Sequence, residues 1–395
     1  MIKTYQEKLY NNKKKNKKLI KAIELGCEIY NHCIALHKRY YRRYKKYLNL
    51  YKLQSHITFL KSLRKYNHWY NLNSQAIQEI TERIDNGYQK FFRKENKRPP
   101  TFKKRKKYKS ISFKQSGYKY SGGYKIKIGK RVYRFFKSHQ CKGKIREIEG
   151  KVKKITVKRD SIGDLYISLT CEVEKSNSIP EKTGNAAGFD FGLKTFLTSS
   201  DGEKIKSPEP MKKSLKEIKK AGRELSKKKS GSGNKNRARL SLARKHKKIR
   251  NQRKDFHFKL ARYLCLIYDL LFFENLCMAG MKKLWGRKVS DLGFNKFLII
   301  LGWYCNKFDR NLHYIDKFYP SSKICHKCGY KNEKLDLKDR TWICPRCKLK
   351  LDRDLNAAIN IYKVGTSTPG LDEVRLELIK HSLLDPRTPR IYSWE

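Results

Sequence analysis

Two Cys-x-x-Cys pairs constrain this chain more than any other feature. They read Cys325-His326-Lys327-Cys328 and Cys344-Pro345-Arg346-Cys347, with fifteen residues between them. Four thiolates at that spacing predict one tetrahedral zinc site, closed and therefore structural. Redox dithiols are the other chemistry the spacing permits, although Gly329 and Pro345 beside the pairs favour metal knuckles. His326 adjoins a ligand and is not expected to be one. Just beyond the second pair, Leu351-Asp352-Arg353-Asp354-Leu355-Asn356-Ala357-Ala358 opens an apolar helical pattern. A metal clip thus leads straight into two carboxylates.

Charge narrows the partners. Lys and Arg number 95 against 36 Asp and Glu, a net charge of +59 in 395 residues. A compact chain so charged repels itself unless a polyanion is bound. The cations are interleaved with 25 Tyr, 18 Phe and 5 Trp, which pairs phosphate neutralisation with base stacking and points to nucleic acid. Lys323, Lys327, Lys331, Arg340, Arg346, Lys348 and Lys350 make the cysteine region basic, so it is expected to touch phosphate. No apolar run reaches the roughly 18 residues of a membrane span, and the basic start lacks a signal-peptide core. Cys27, Cys33, Cys141, Cys171, Cys265, Cys277 and Cys305 are scattered and are expected to be reduced packing residues. The expected location is cytoplasmic, beside the bacterial nucleoid.

Periodicity then orders the chain. Residues 1–10 read as a strand, 19–70 as helical with a basic, Tyr-rich face, and 74–93 as a helix capped at Asn73-Ser74. Short alternating runs between 101 and 175 predict a small antiparallel barrel or sheet, which the N-terminal strand could complete. Residues 174–184 form a polar linker. A meander of three strands follows, then a basic helical pair over 210–229 and 235–268 hinged at Ser230-Gly231-Ser232-Gly233. A strand at 270–273, a helix at 294–309, a strand at 312–318 and a last helix from about 352 to 364 complete the pattern.

Three acids stand out. Asp190 lies between Phe189 and Phe191 with glycine beyond each, a costly place for a carboxylate without a metal or other partner. A turn Asp at a strand end is the plain alternative. Glu274 ends the apolar run Leu270-Leu271-Phe272-Phe273, where sheets often hold ligands, or it simply opens a loop. Asp354 starts the last helix, where a carboxylate could serve either as a ligand or, like Asp352, as a cap. Together, an Asp on the first strand of a meander, a Glu after a later strand and an Asp on a C-terminal helix follow the layout of a ribonuclease-H-like nuclease. Such sites take two Mg²⁺ ions for in-line attack on phosphorus.

These blocks resemble the TnpB family, insertion-sequence RNA-guided nucleases related to miniature type V CRISPR effectors. Gly188-Phe189-Asp190-Phe191-Gly192 resembles the first RuvC motif and Phe273-Glu274-Asn275-Leu276 the second. Ser230 through His257 resembles the family's basic helical block. Tyr319 through Ala358 resembles its zinc ribbon and third RuvC motif. Phenylalanines replace the usual aliphatic residues around Asp190, and no acid is missing.

The resemblance implies an α+β multidomain chain. Residues 1–12 and 98–175 would form a wedge β-barrel, with 13–97 an inserted helical recognition lobe. Residues 184–320 would carry RuvC motifs I and II, 321–350 an inserted four-cysteine zinc ribbon that binds target nucleic acid, 351–364 RuvC motif III and 365–395 a C-terminal tail. It implies catalytic, Mg²⁺-holding acids at Asp190, Glu274 and Asp354 and zinc ligands at Cys325, Cys328, Cys344 and Cys347. The implied activity is cleavage of double-stranded DNA directed by a structured guide RNA, with a short flanking motif read by the protein and one or two protein copies per guide. Gln54, Ser74, Gln78, Lys114 and Gln115 fall where the family meets that motif, although plain surface polarity would explain them too. Arg237, Arg244 and Arg253 lie in the basic block, whose cations cover enough of the helix surface to track a nucleic-acid backbone. A guide-dependent DNA binder or transposition regulator with weak or no cleavage remains the alternative.

Overall fold

A computed structural model describes residues 2–136, 147–174, 179–276, 278–336 and 338–367. Most of the expected 365–395 tail, together with Cys141 and Cys277, falls outside the described residues. The chain divides into two compact units, Met1–Ser176 and Asn177–Glu395. Among the described residues no helix is long and apolar enough to cross a membrane.

In the first unit, β1 (Ile2–Lys8) leads into three helices, α1 (Lys13–Tyr44), α2 (Leu50–Ser62) and α3 (Ser74–Phe92). The long helical stretch expected over 19–70 is broken. Lys45 turns left-handed at φ 50° and closes α1, and the Asn49 side chain caps α2 by accepting from the Lys52 amide. A 3₁₀ segment over Arg64–Asn71 then buries Trp69. Asn73 caps α3, as its sequence predicts.

Strands β2 (Ser110–Phe113), β3 (Tyr118–Lys119), β4 (Lys125–Ile128), β5 (Arg131–Arg134), β6 (Lys151–Arg159) and β7 (Leu165–Glu172) follow. The N-terminal strand does join them: β1 pairs antiparallel with β7, in a sheet ordered β1-β7-β6-β2. Strands β3, β4 and β5 form a second sheet, which meets the first through a bridge between Leu9 and Phe135. The expected barrel is therefore two sheets sharing one core, and the described strands do not close it by hydrogen bonds. Alternation explains the shared core. Every second residue of β7 (Leu165, Ile167, Leu169, Cys171) is buried, and Ile111, Ile126, Tyr133 and Ile155 face the same interior.

The second unit is built on a mixed sheet. Its strands are β8 (Ala186–Asp190), β9 (Leu197–Ser199) and β10 (Lys204–Ile205), then after helices α4 (Pro210–Lys213), α5 (Leu215–Ser226) and α6 (Gly233–Ile267) comes β11 (Leu270–Glu274). Helices α7 (Met278–Leu292) and α8 (Phe294–Phe308) precede β12 (Asn311–Ile315). The spatial order is β10-β9-β8-β11-β12, with the first three antiparallel and β11 parallel to both β8 and β12. A small ribbon of β13 (Thr341–Ile343) and β14 (Lys350–Asp352) leads into α9 (Arg353–Thr366).

The sheet separates two cores. Ala187, Phe189, Leu271 and Phe273 face α6 and α8, joined by Leu260, Leu264, Phe297 and Leu301. Phe272 lies on the other face with Ile361 of α9. The far ends of the central strands are pinned by a buried ion pair, Arg310 Nε to Asp269 Oδ1 at 3.0 Å. Asp269 also accepts from the Thr183 and Gly184 amides at 2.7 and 2.6 Å, fixing where β8 begins.

Candidate active site and metal centre

Register places the first two acids side by side. Phe273 pairs with Phe189 on neighbouring parallel strands, so Glu274 and Asp190 are the next residues along, level with each other. Their strands are about 4.8 Å apart, and paired residues of parallel strands share a face. The Phe189 and Phe273 rings stack on the opposite face with centroids 5.0 Å apart, so both acids are turned away from that core.

Helix α9 brings in the third. It lies on the acid-bearing face, where Gly188 has no side chain: a Cβ there would fall 2.4 Å from both the Ala358 carbonyl oxygen and the Tyr362 amide nitrogen. Gly365 makes the same close approach to the Phe272 ring. Asp354 precedes Ala358 by one helical turn, about 6 Å, and Asp190 lies two strand residues past Gly188, about 6.6 Å. Backbone-to-backbone packing thus carries Asp354 level with Asp190. Asp354 Oδ2 lies 3.7 Å from where a Cβ on Gly192 would stand. Asp352 caps the helix, accepting from the Leu355 amide at 3.0 Å and pairing with Lys204 at 2.6 Å.

Asp190 feels the other two carboxylates. Burial pushes Asp190 well above the ordinary carboxylate range, and the charges of Glu274 and Asp354 push the same way against Arg353 and the Phe191 amide. Burial also raises Glu274, opposed by the hydroxyl of Ser321, which donates to Glu274 Oε1. Arg340 stands 3.7 Å from Asp354 Oδ1. Half-buried acids that meet beside a sheet end offer the oxygen donors that divalent cations take.

The cysteines are drawn in more tightly. The sulfurs of Cys325, Cys328, Cys344 and Cys347 all lie within 4.8 Å of one another. Cys325 and Cys347 are 3.6 Å apart and Cys328 and Cys344 3.4 Å. Tetrahedral Zn–S bonds of about 2.3 Å place sulfurs about 3.8 Å apart, so the set fits one zinc ion. Burial pulls the Cys344 thiol upward, but the Cys347 amide, the Cys328 sulfur and the Arg346 amide bring it down to about 7. Leu335, Trp342 and Leu351 pack around the four sulfurs.

Ser321, Asn356 and Asn360 are residues that motif reading missed. Asn356 and Asn360 are buried, at 1% and 3% exposure, on one face of α9. Their amide groups hold the segment that leads into the first cysteine pair. The expected nucleic-acid residues divide. Ser74, Gln78 and Gln115 are exposed, and Gln54 donates to Thr81 at 3.2 Å. Lys114 is engaged by Glu82 and lies 3.6 Å from Glu79. Arg237 and Arg244 are exposed on α6, the former bonded to Asn234 at 2.6 Å. Arg253 turns inward and donates to the Ser290 and Asp291 carbonyls at the end of α7, at 2.5 and 3.4 Å.

A mixed sheet bearing clustered acids, with a four-thiolate ribbon leading into its last helix, defines a class of compact α/β proteins. A solved structure of a Cas12f1–sgRNA–target DNA complex shares this fold at a TM-score of 0.55, with 15% identity over 92% of this chain and 98% of that one. Residues 168–284 match the family described as "Probable transposase", the OrfB group of IS605, and residues 294–361 match the "Cas12f1-like, TNB domain". A "Putative RNA-guided DNA endonuclease" of Streptomyces pristinaespiralis is 36% identical over 53% of this chain, a stretch that spans only about half of that relative, 52%. "Putative RNA-guided DNA endonuclease InsQ" of Escherichia coli K12 is 25% identical over 85% of this chain and 86% of its own length. The motifs that resemble the TnpB family thus lie largely within the two stretches matched by these family models.

Proposed function

We propose that this chain is a guide-RNA-dependent DNA endonuclease with a RuvC-type centre at Asp190, Glu274 and Asp354. The observation that carries the reading is the convergence of these three carboxylates, from two adjacent parallel strands and one crossing helix, in a protein of net charge +59. The strand order β10-β9-β8-β11-β12, with its antiparallel meander and parallel outer strands, supports a ribonuclease-H-like sheet.

Within this reading the three carboxylates hold two Mg²⁺ ions. Bound there, the ions supply an activated water and charge neutralisation at the leaving oxygen of a phosphodiester. The chain's own contribution is placement. Gly188 lets α9 approach, β8 and β11 align two acids, and Asp352 fixes the start of the helix that carries the third. The cysteine ribbon takes a structural Zn²⁺ and holds target strand over the centre. The two sheets of the first unit act as the wedge and α1 to α3 as the recognition lobe. Base pairing with the guide reads the target sequence, and exposed polar residues near the start of α3, Ser74 and Gln78 with Gln115, read a short flanking motif.

The test uses the full chain with its copurifying RNA. Asp190→Ala is expected to abolish Mg²⁺-dependent cleavage of a guide-matched target and to leave target affinity within about twofold of wild type. Omitting the RNA is expected to leave the protein inert. Cleavage by Asp190→Ala at the wild-type rate would overturn the assignment. A wild-type complex that binds the matched target without cutting it would favour the regulator instead.

A further inference from the structure

We propose that Ser321, Asn356 and Asn360 are positioning residues that tie the placement of Glu274 to the first cysteine knuckle. The inference rests on the reading of Glu274 as a metal-holding carboxylate. Asn356 and Asn360 sit one helical turn apart, so their side chains point the same way from α9. The Asn356 Nδ2 group donates to the Ile324 carbonyl at 2.7 Å and the Ser321 carbonyl at 3.4 Å. The Asn360 Nδ2 group donates to the same two carbonyls, at 2.6 and 2.8 Å. Asn356 Oδ1 accepts from the His326 amide at 2.9 Å and lies 3.0 Å from His326 Nδ1.

Two buried amides thus clamp residues 321–326 from both ends. One end of that segment enters the cysteine cluster at Cys325. The other end is Ser321, whose hydroxyl donates to Glu274. Buried amides are costly unless bonded, so leucine or alanine would fill these positions if apolar packing alone were needed. The hydrogen bonds instead form a continuous path from thiolate knuckle to helix to serine to carboxylate. Glu274 ends β11, where the Asn275 amide still bonds the Ile315 carbonyl of β12 at 3.3 Å and fixes the backbone but not the carboxylate. Ser321 supplies the hydroxyl that bonds its carboxylate, and the Asn pair holds Ser321 in place.

The path predicts that damage to the knuckle disturbs cleavage through Glu274, not only through lost nucleic-acid contact. Ser321→Ala in the full guide complex is expected to leave zinc content and target affinity unchanged. Its single-turnover cleavage is expected to fall about 10–100-fold, the usual loss when an outer partner of a metal ligand is removed. The Mg²⁺ concentration for half-maximal rate should rise with it, and Ser321→Thr should restore most of the rate.

Hydrogen exchange gives a readout that does not depend on cleavage. Asn356→Ala and Asn360→Ala should each speed exchange at 321–326 and also at 273–276, across the path. Faster exchange at 321–326 with 273–276 unchanged would overturn the proposal, as would Ser321→Ala at the wild-type rate and Mg²⁺ midpoint. If either Asn variant fails to fold, Ser321→Ala and Ser321→Thr still decide. If the wild-type complex does not cut at all, the nuclease reading fails and the exchange measurement alone judges the path.

Discussion

Gly188 and Ala358 lie backbone to backbone, with a Cβ on Gly188 falling 2.4 Å from the Ala358 carbonyl oxygen. The contact lets the last helix settle onto the strand that carries Asp190. Neither backbone can yield as a flexible side chain would. Gly188→Ala is therefore expected to push α9 away and carry Asp354 with it. Overpacking costs about 1–3 kcal/mol, and this position belongs at the upper end. Thermal melting should fall by several degrees, and cleavage should fall further than stability does.

Asp190→Asn should have opposite effects on stability and activity. In chelator, the native carboxyl is held above its ordinary range by burial and by Glu274 and Asp354. A carboxyl whose folded value is raised costs stability as pH climbs through the unfolded value, near 3.9, toward the folded one. The wild-type protein in chelator is thus expected to lose stability across that rise. Divalent cation should restore it. Asn carries no charge to repel, so the variant should melt higher than wild type in chelator, gain little from Mg²⁺, and not cut. Melting curves with and without Mg²⁺ check this.

The basic residues should separate by what they touch. Arg237→Glu and Arg244→Glu, on the exposed face of α6, are expected to weaken RNA binding and flatten its salt dependence by about one counterion per cation removed. Arg253→Ala removes the donor to the Ser290 and Asp291 carbonyls. It should lower melting temperature and leave the salt slope of RNA binding unchanged. Filter binding over a salt series, beside thermal melting, tells the two apart.

Acid should destabilise the second unit through His257. Burial holds its imidazole down to about 4, against the bond to the Leu292 carbonyl. The unfolded chain takes up a proton near 6.5, so stability is lost as pH falls from about 6.5 to 4. The ring is fully buried among Phe196, Phe256 and Phe297. His257→Phe should flatten the pH dependence of melting in that window while lowering stability at pH 7, because it leaves the Leu292 carbonyl without its donor.

Much of the site was legible because its signals are local. Cysteine spacing announces a four-sulfur cluster, which the fold draws within 4.8 Å, and the apolar runs before Asp190 and Glu274 announce strands that end in acid. The capping of α9 by Asp352 follows from its position alone. Other features depend on distant partners. Lys114 reads as a free cation until Glu82 is folded beside it, and Arg253 until the end of α7 arrives. Ser321 carries no signal at all, since its meaning comes from Glu274, 47 residues earlier. The single helix expected over 19–70 failed at Lys45, where a left-handed residue ends the helix although its neighbours keep helical composition.

The order in which α9 arrives has a consequence for synthesis. Until residues 353–366 leave the ribosome, Gly188 and Phe272 have no helix to cover them, and Asp190 and Glu274 lack their third carboxylate. Pairing at such sequence separation is slow and comes late. A nascent chain can fold its first unit, in which β1 waits only for β7, before that helix emerges. Under the proposed nuclease reading, the three-acid centre would be the last part of the fold to assemble.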